Sequence, residues 1–311
     1  MNKFKGFLFG MTASSTFGLL PLFTLPIMSE GLTTNSILCY RMLFASALVA
    51  VLMQVRKIAF RTNLKELLWF AFLGFFYYGS ASLLFQAYGT MSSGMATTLH
   101  FLYPVGVTLI MALVFKQRPS PFTILAIILG LSGVALLSLK EGGGSSSASL
   151  VGILLVLLSG LSYAAYLVTM NNVRRVRESN NLKLTLYVLI FSALFFLLDT
   201  SLSGGLQMIP SGRALTNLLL LAFLPTLVSN LALVRAVKSI GSTLTSVLGA
   251  MEPLTAIVSG VVVFGEEVTG SMALGILLIL LSVTIIVLSP LLDKNIADRL
   301  SRLSKRPIRR Q

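Results

Sequence analysis

The sequence predicts an all-α polytopic membrane protein whose ten transmembrane helices form two inverted five-helix repeats. Three observations support this prediction: the composition, the number of long apolar stretches and a weak internal repeat. Of the 311 residues, 55% are hydrophobic and only 11% are charged, and the mean hydropathy is +0.90. About a quarter of the residues of a soluble domain are charged, so this composition excludes a water-soluble globule.

Ten apolar stretches are long enough to cross a membrane as helices, each of which needs about 20 residues. Continuous apolar runs favour helices over the short alternating strands of a membrane barrel. The first stretch follows Lys3 and Lys5 but has no convincing cleavage site, so we expect a retained span rather than a secretory signal. In chain order, the predicted spans are 5–28, 34–54, 66–89, 92–115, 121–139, 150–170, 182–199, 214–236, 241–264 and 270–290.

Lysine and arginine residues concentrate in the loops on one side of the predicted membrane. With the N-terminus in the cytoplasm, nearly all of the 24 fall inside; Lys140 and Arg213 fall outside, and Arg41 lies within a span. The positive-inside rule therefore predicts that both termini are cytoplasmic. This topology accounts for the net charge of +14 without a nucleic-acid partner. The basic tail, 291–311, either anchors the topology or binds anionic lipid headgroups.

An internal repeat divides the chain into a first half, 1–140, and a second half, 150–290, joined by a flexible Gly/Ser linker at 141–149. Aligning Pro104 with Pro253 gives an offset of 149 residues, at which further identities recur through the following span. Because five spans is an odd number, the second half enters the membrane in the opposite orientation. Secondary transporters use this inverted-repeat design, with the substrate site at the repeat interface.

Glu252 is the most informative candidate site residue because it falls near the middle of the ninth span and is followed by Pro253. A carboxylate at that depth is costly and points to function by default. Proline removes a backbone donor and frees carbonyls that can line a cavity. Two functional roles are open, an anionic partner for a substrate ammonium or a group that binds and releases a proton. The structural alternative is a protonated acid that holds helices together.

The matching region of the fourth span carries His100, Tyr103 and Pro104, and Tyr103 is the repeat mate of Glu252. Small and polar residues recur at spacings of three and four in both regions. Such faces serve either close helix packing or a cavity, and a lone histidine is often a packing residue. We expect cavity lining, because two repeat-related faces share this character.

Arg41 lies one or two turns inside the second span, where three roles are open: binding an anionic substrate group, pairing with Glu252, or extending outward to the membrane surface. Other polar candidates are matched between the halves, since Tyr77 and Ser80 correspond to Thr226 and Ser229 at the same offset. For each one, a hydrogen bond between helices is the simpler alternative. The remaining candidates are Tyr78, Asn230, Ser15, Tyr163 and Tyr166.

Several kinds of chemistry lack support in the sequence. The chain has one cysteine, Cys39, and one histidine, His100, which excludes an internal disulfide and a multi-histidine metal site. It has no phosphate-binding glycine loop and no nucleophile elbow. We therefore expect no enzyme activity, no cofactor and no bound metal.

The chain resembles the EamA-type transporters of the drug/metabolite transporter superfamily. The resemblance covers nearly the whole chain and rests on "YRMLFASAL", "AYGTMSSGMATTLHFLYPVGVTLIMALVF" and "RAVKSIGSTLTSVLGAMEPLTAIVSGVVVFGEEVTGSMALGILLILLSV". It implies a ten-helix inverted repeat, a central cavity, and export of amino acids or related small metabolites. Glu252, Pro253 and Arg41 match recurring family positions. The sequence departs from the family in "FKQRPSP", where a glutamate-bearing turn is usual, and in Phe17-Gly18, where Trp-Gly is frequent.

These observations and the resemblance lead to the hypothesis of a secondary transporter of the bacterial inner membrane, where it is surrounded by membrane lipids. We expect it to export a small metabolite by alternating access. Proton exchange through Glu252 or His100 and plain facilitated diffusion are both open as energy sources. An exporter of lipophilic cations is an alternative that would require Glu252. A membrane sensor or scaffold, which would bind a partner without solute flux, is an alternative of another class.

Overall fold

The computed structural model describes residues 3–87, 90, 96, 99–138, 150–252, 254–255, 258, 262, 270, 273–285 and 288. Pro253, the predicted linker 141–149 and the predicted tail 291–311 lie outside the described residues. The described part is helical throughout its regular structure. Its first-half helices are α1 (Lys3–Phe17), α2 (Leu20–Ser29), α3 (Thr34–Val55), α4 (Leu64–Ala87), α5 (Tyr103–Leu113) and α6 (Pro121–Ser138). They are followed by α7 (Leu150–Asn172), α8 (Arg174–Glu178), α9 (Asn181–Leu202), α10 (Gly212–Ala222), α11 (Ser229–Ile240), α12 (Ser242–Leu248) and α13 (Ala273–Ile285).

Long apolar helices confirm a multi-pass membrane protein. Six are long and apolar enough to span: Lys3–Ser29, Thr34–Val55, Leu64–Ala87, Leu150–Asn172, Asn181–Leu202 and Gly212–Ile240. They match the predicted first, second, third, sixth, seventh and eighth spans. The shorter α5, α6 and α13 lie within the predicted fourth, fifth and tenth spans, and α12 lies within the ninth. The total of ten spans stays a prediction.

Two spans depart from regular α-helix in their middle. The first breaks at Gly18-Leu19, and Pro21 lies in the first turn of α2, where its missing N–H costs no helical hydrogen bond. The eighth is continuous but contains a π-helical segment, Phe223–Val228, between α10 and α11. Pro225 lies in this segment and cannot donate a backbone hydrogen bond. The Thr226 hydroxyl instead donates to the Leu221 carbonyl oxygen, five residues back, at 2.8 Å.

When two helices pack together, their counterparts in the other half also pack together. Helix α4 packs along α7, and its counterpart pair is α11 along α1. At the level of whole spans, the fourth packs on the sixth through α5 and α7, and the ninth packs on the first through α12 and α1, while α3 and α9 are mates that pack on each other. This pattern is what a repeat with an offset of 149 residues requires.

One contact between the fifth and tenth spans shows the repeat at the level of single residues. The Ser282 hydroxyl donates to the Ala126 carbonyl oxygen at 2.6 Å. At the 149-residue offset, the mate of Ser282 is Gly133 and the mate of Ala126 is Gly275. A β-carbon placed on Gly133 would lie 2.8 Å from the Gly275 carbonyl oxygen. The same backbone approach therefore occurs twice, once with a serine and once with a glycine.

Contacts between loops define two ends of the helix bundle. At one, which we call the Lys3 end, Lys183 Nζ donates to the Arg61 carbonyl oxygen at 2.9 Å and the Tyr187 hydroxyl donates to the Phe60 carbonyl oxygen at 2.6 Å. At the opposite one, the Gln207 end, Thr33 N donates to Gln207 Oε1 at 2.6 Å. Chain direction places the start of α1 at the Lys3 end.

Candidate functional site

Side chains from both halves enclose a small polar cavity at the centre of the bundle. Its lining residues lie on α1, α5, α7, α11, α12 and the helical turn at residue 252: Ala13, Ser14, Tyr103, Tyr163, Leu167, Ser229, Leu233, Thr245 and Glu252. The volume open to the centre of a water molecule is about 10 Å3, which is room for roughly one water. We call this space the central cavity.

Glu252 supplies the acidic group of the central cavity. Its backbone packs against the break in the first span, because a β-carbon on Gly18 would meet the Glu252 carbonyl oxygen and lie 2.8 Å from the Thr255 β-carbon. Tyr103 and Tyr163 line the same cavity as Glu252. Arg41 and Glu252 do not form an ion pair. Within the described ranges, the ion pair found joins Arg174 to Glu178, at 2.8 Å on the surface.

Four tyrosines form a continuous row that begins at the central cavity. Tyr103 meets Tyr163 edge to face with ring centroids 4.8 Å apart, Tyr163 stacks on Tyr166 at 6.0 Å, and Tyr166 lies 5.4 Å from Tyr77. The sequence predicted each as a separate candidate, and the structure brings them together. The Tyr77 hydroxyl accepts a hydrogen bond from Asn230 Nδ2 at 3.2 Å, which joins the row to the eighth span.

His100 lies beside the central cavity rather than on its lining. Its Nδ1 is 3.1 Å from the Ser159 hydroxyl, which donates to the Ser80 carbonyl oxygen at 2.6 Å. A hydroxyl has one proton, so Ser159 accepts from an Nδ1–H group, and this assigns the tautomer by inference. His100 and Ser80 thus both take part in a hydrogen-bonded connection between the third, fourth and sixth spans.

The remaining predicted residues fall into two groups. Thr226, Ser229 and Asn230 are buried on the eighth span, and Ser229 bridges to α1 through a hydrogen bond to the Ala13 carbonyl oxygen at 2.9 Å. Tyr78 instead packs against Phe195 and Phe196 of α9, away from the cavity.

Two further predictions concern a serine and a proline. Ser15 is half-buried, and its neighbour Ser14 is the one that lines the cavity. Pro104 lies in the first turn of α5, so the break in the fourth span falls just before it, at Phe101-Leu102.

Two polar residues of this region were not among the sequence-based candidates: Ser14, which lines the central cavity, and Ser159, which is hydrogen-bonded to His100. Ser14 belongs to a run of small residues at a spacing of four: Gly6, Gly10, Ser14 and Gly18 are all buried. This spacing marks a face of close helix contact and would have selected Ser14 over Ser15. Ser159 has a similar signal in its neighbour Gly160, which lies against the His100 carbonyl oxygen.

Arg41 is 2% exposed and lies one turn from the central cavity, toward the Gln207 end. Its Nε donates to the Thr226 hydroxyl at 2.6 Å, and its guanidinium carbon lies 5.3 Å from the centre of the Phe17 ring. Thr226 precedes the cavity residue Ser229 by one helical turn, and Phe17 follows Ala13 and Ser14 by one turn. Arg41, on the second span, therefore contacts side chains of the first and eighth spans.

The described residues form different structures at the two ends of the bundle. At the Lys3 end, a vestibule with about 210 Å3 open to water centres is lined by residues that include Thr108, Met111, Asn171, Gly241 and Thr243. At the Gln207 end, hydrogen bonds join the loop at Gln207 and Ser211 to the first and second spans. We call this set the Gln207 latch: Gln207 Oε1 accepts from Thr33 N, Gln207 N donates to Ser36 at 3.2 Å, the Gln207 carbonyl oxygen accepts from Tyr40 at 2.7 Å, and Ser211 donates to Glu30.

A multi-pass helical bundle that repeats once and encloses a polar cavity between its halves defines a membrane protein of the transporter class. The chain belongs to the EamA-like transporter family, whose model matches residues 4–139 and 150–288. The family predicted from sequence resemblance is thereby confirmed.

Two individual proteins illustrate the similarity. Over 167 residues the chain is 31% identical to the uncharacterized transporter YcxC of Bacillus subtilis (strain 168). The match covers 51% of this chain and 49% of YcxC, so it spans about half the length of that relative. A protein of known crystal structure has a TM-score of 0.79 and 20% sequence identity, covering 94% of this chain and 98% of its own. At that identity, the likeness shows a shared fold.

Proposed function

We propose that this membrane transporter is a secondary transporter of the bacterial inner membrane that exports amino acids or related small metabolites by alternating access. The observation that carries the proposal is the position of the central cavity. It holds an acidic group between the two halves, and it lies between the Gln207 latch at one end and the vestibule at the other. We assign the Lys3 end to the cytoplasm on the basis of its basic loops.

The size of the central cavity supports a cycle with a closed intermediate. A cavity with room for about one water cannot hold an amino acid, so loading requires the lining helices to separate. Helices α5 and α12 line the vestibule at one end and reach the cavity at the other, through Tyr103 and Thr245. Separation of this pair would connect the vestibule to Glu252.

Proton coupling through Glu252 is part of the proposal. Its carboxyl group lies among tyrosines with no cation at ion-pair distance in the described part of the chain. A carboxyl group in such surroundings can carry a proton in one direction and exchange it for a substrate ammonium in the other. A protonated, purely structural acid would give the same burial without this exchange.

Flux in proteoliposomes tests the proposal. Protein is reconstituted with internal radiolabelled amino acids, and efflux is measured with and without an inward proton gradient. We expect efflux that the gradient accelerates, and loss of that acceleration in Glu252→Gln. Glu178→Gln is the matched control, because Glu178 is a surface glutamate in the Arg174 pair.

The outcomes separate the alternatives. Equal rates in Glu252→Gln and the wild type, at every pH, would exclude both functional roles of Glu252. Efflux of large aromatic cations instead of amino acids would favour the lipophilic-cation exporter. Absence of any flux from folded protein would favour a sensor or scaffold.

A further inference from the structure

The Arg41 guanidinium group is a buried positive charge whose partners do not balance it. Its Nη2 is buried and has no hydrogen-bond partner among the residues that the structure describes. Its Nε bonds to Thr226, a neutral hydroxyl that also donates to the Leu221 carbonyl oxygen. No carboxylate lies within ion-pair distance of Arg41 in the described ranges. A buried guanidinium is normally paired with an anion, so this one lacks a ligand.

The surroundings of Arg41 are suited to one small anionic group. The Tyr77 hydroxyl is linked to Thr226 through Asn230, whose Nδ2 donates to the Tyr77 hydroxyl at 3.2 Å and to the Thr226 carbonyl oxygen at 2.8 Å. The Phe17 ring lies 5.3 Å from the guanidinium carbon. The unpartnered Nη2 of the planar guanidinium can donate to an oxygen of a carboxylate.

Arg41 also has a defined place relative to the central cavity. Tyr163 lines the cavity together with Glu252. Arg41 lies one turn nearer to the Gln207 end than the cavity, so an anion bound there stands between Glu252 and the Gln207 latch. The acidic group and the basic group are thus separated along the direction of transport.

We propose that Arg41 is the carboxylate-binding subsite of the transport pathway, with the substrate ammonium group directed toward Glu252. This inference rests on the proposed function and narrows its substrate class to solutes with a free carboxylate. Amino acids have both charges, whereas amines and lipophilic cations have only the positive one. The geometry also removes the other two roles considered for Arg41. It is not paired with Glu252, and its 2% exposure leaves no path to the membrane surface.

Matched ligands test this subsite directly. Purified full-length protein in detergent is titrated with each protein amino acid and with its carboxamide, which differs only in lacking the negative charge. A ligand that binds the folded state raises its thermal stability, which reports affinity. We expect at least one free acid to bind about tenfold or more tightly than its amide, as a charge-assisted bond implies. In Arg41→Gln, that preference should disappear through weaker binding of the acid, with the amide within about twofold of wild type.

Two variants guard against misfolding. Arg41→Lys keeps the charge but loses the planar donor pair, so we expect an intermediate preference for the acid. Arg235→Gln is the matched control, because Arg235 also lies 5.3 Å from a phenylalanine ring, that of Phe9, but is only half-buried and lies on the Lys3 side of the cavity residues Ser229 and Leu233. It should keep the full preference.

Three results would overturn the subsite. The wild type would bind the acid and its amide equally, or it would bind no free acid at all. Alternatively, the full preference for the acid would survive in both Arg41→Gln and Arg41→Lys. Flux in proteoliposomes distinguishes this from failure of the proposed function. Transport of any solute of the panel without a preference for the acid would retain the transporter and reject the Arg41 subsite. Absence of all flux would reject the proposed function itself.

Discussion

The hydroxyl of Tyr103 occupies the space that a β-carbon on Gly249 would need. The start of α5 and the end of α12 therefore touch at one phenol and one glycine, beside the central cavity. At the 149-residue offset, Tyr103 is the mate of Glu252 and Gly249 is the mate of His100. The contact therefore joins the fourth span of one half to the ninth span of the other, and it leaves no room for a side chain at residue 249.

Gly249→Ala should overpack this contact and lower the stability by about 1–3 kcal/mol, the usual cost of adding a methyl group to a packed interior. Thermal unfolding in detergent measures the loss. Tyr103→Phe removes the atom that stands in the way, so the double variant should recover part of the stability.

Gly79→Ala is the control for this pair, because its added methyl group would lie at ordinary contact distance, 3.5 Å from the Ser162 hydroxyl. We expect no loss there, and an equal loss at both glycines would contradict the account of the Tyr103 contact.

Ser159→Ala should destabilise the protein without changing substrate affinity. It removes one hydroxyl that serves both His100 and the Ser80 carbonyl oxygen, and leaving buried polar groups unpaired costs about 1–3 kcal/mol. Thermal unfolding and ligand titration of the same sample separate the two effects. Ser201→Ala is the control, since its exposed hydroxyl bonds within its own helix. A weaker affinity with unchanged stability would instead place His100 in the binding site.

Opening the Gln207 latch should expose the central cavity to the outside. The double variant Gln207→Ala with Tyr40→Phe removes two hydrogen bonds of about 1 kcal/mol each, a shift of roughly thirtyfold in the balance of states. Access is measured by labelling Ser14→Cys with an impermeant maleimide in a Cys39→Ser background.

We expect faster labelling from outside the cell in the latch variant. Ser201→Ala lies near the same end and leaves the latch intact, so it should label at the starting rate. Unchanged labelling in the latch variant would show that these bonds do not hold the end closed.

Ser282→Ala should cost about 1 kcal/mol, because it removes a buried hydrogen bond to the Ala126 carbonyl oxygen. At the repeat mate of Ser282, a group is added instead of removed: Gly133→Ala would press a methyl group against the Gly275 carbonyl oxygen. Both changes should lower the unfolding temperature of detergent-purified protein. Thr284→Val is the control, because Thr284 is exposed and bonds within its own helix. An unchanged unfolding temperature in Gly133→Ala would mean that the fifth and tenth spans pack more loosely than this contact implies.

The sequence was sufficient for the placement of the long spans and for Glu252 and Tyr103 in one cavity, because span length and the repeat offset determine both. It was insufficient for the choice between Ser14 and Ser15. Successive helical residues point about 100° apart, and spans that are apolar all round give little amphipathic signal to orient them. Tyr78 shows the same difficulty, since it follows Tyr77 directly but packs on α9. The partner of Arg41 could not be predicted either, because Thr226 is reached across 185 residues of chain.

The π-helical segment at Phe223–Val228 has no counterpart in the first half, where the corresponding residues 74–79 belong to the uninterrupted helix α4. Two repeats that exchanged roles perfectly would make the inward-open and outward-open forms equal in free energy. A wider helical turn in only one repeat makes these two free energies unequal. We therefore expect the empty carrier to favour one of the two open forms. In the proposed cycle, gradients would still decide the net direction of flow, but we expect this local irregularity to bias which compartment the unloaded protein faces.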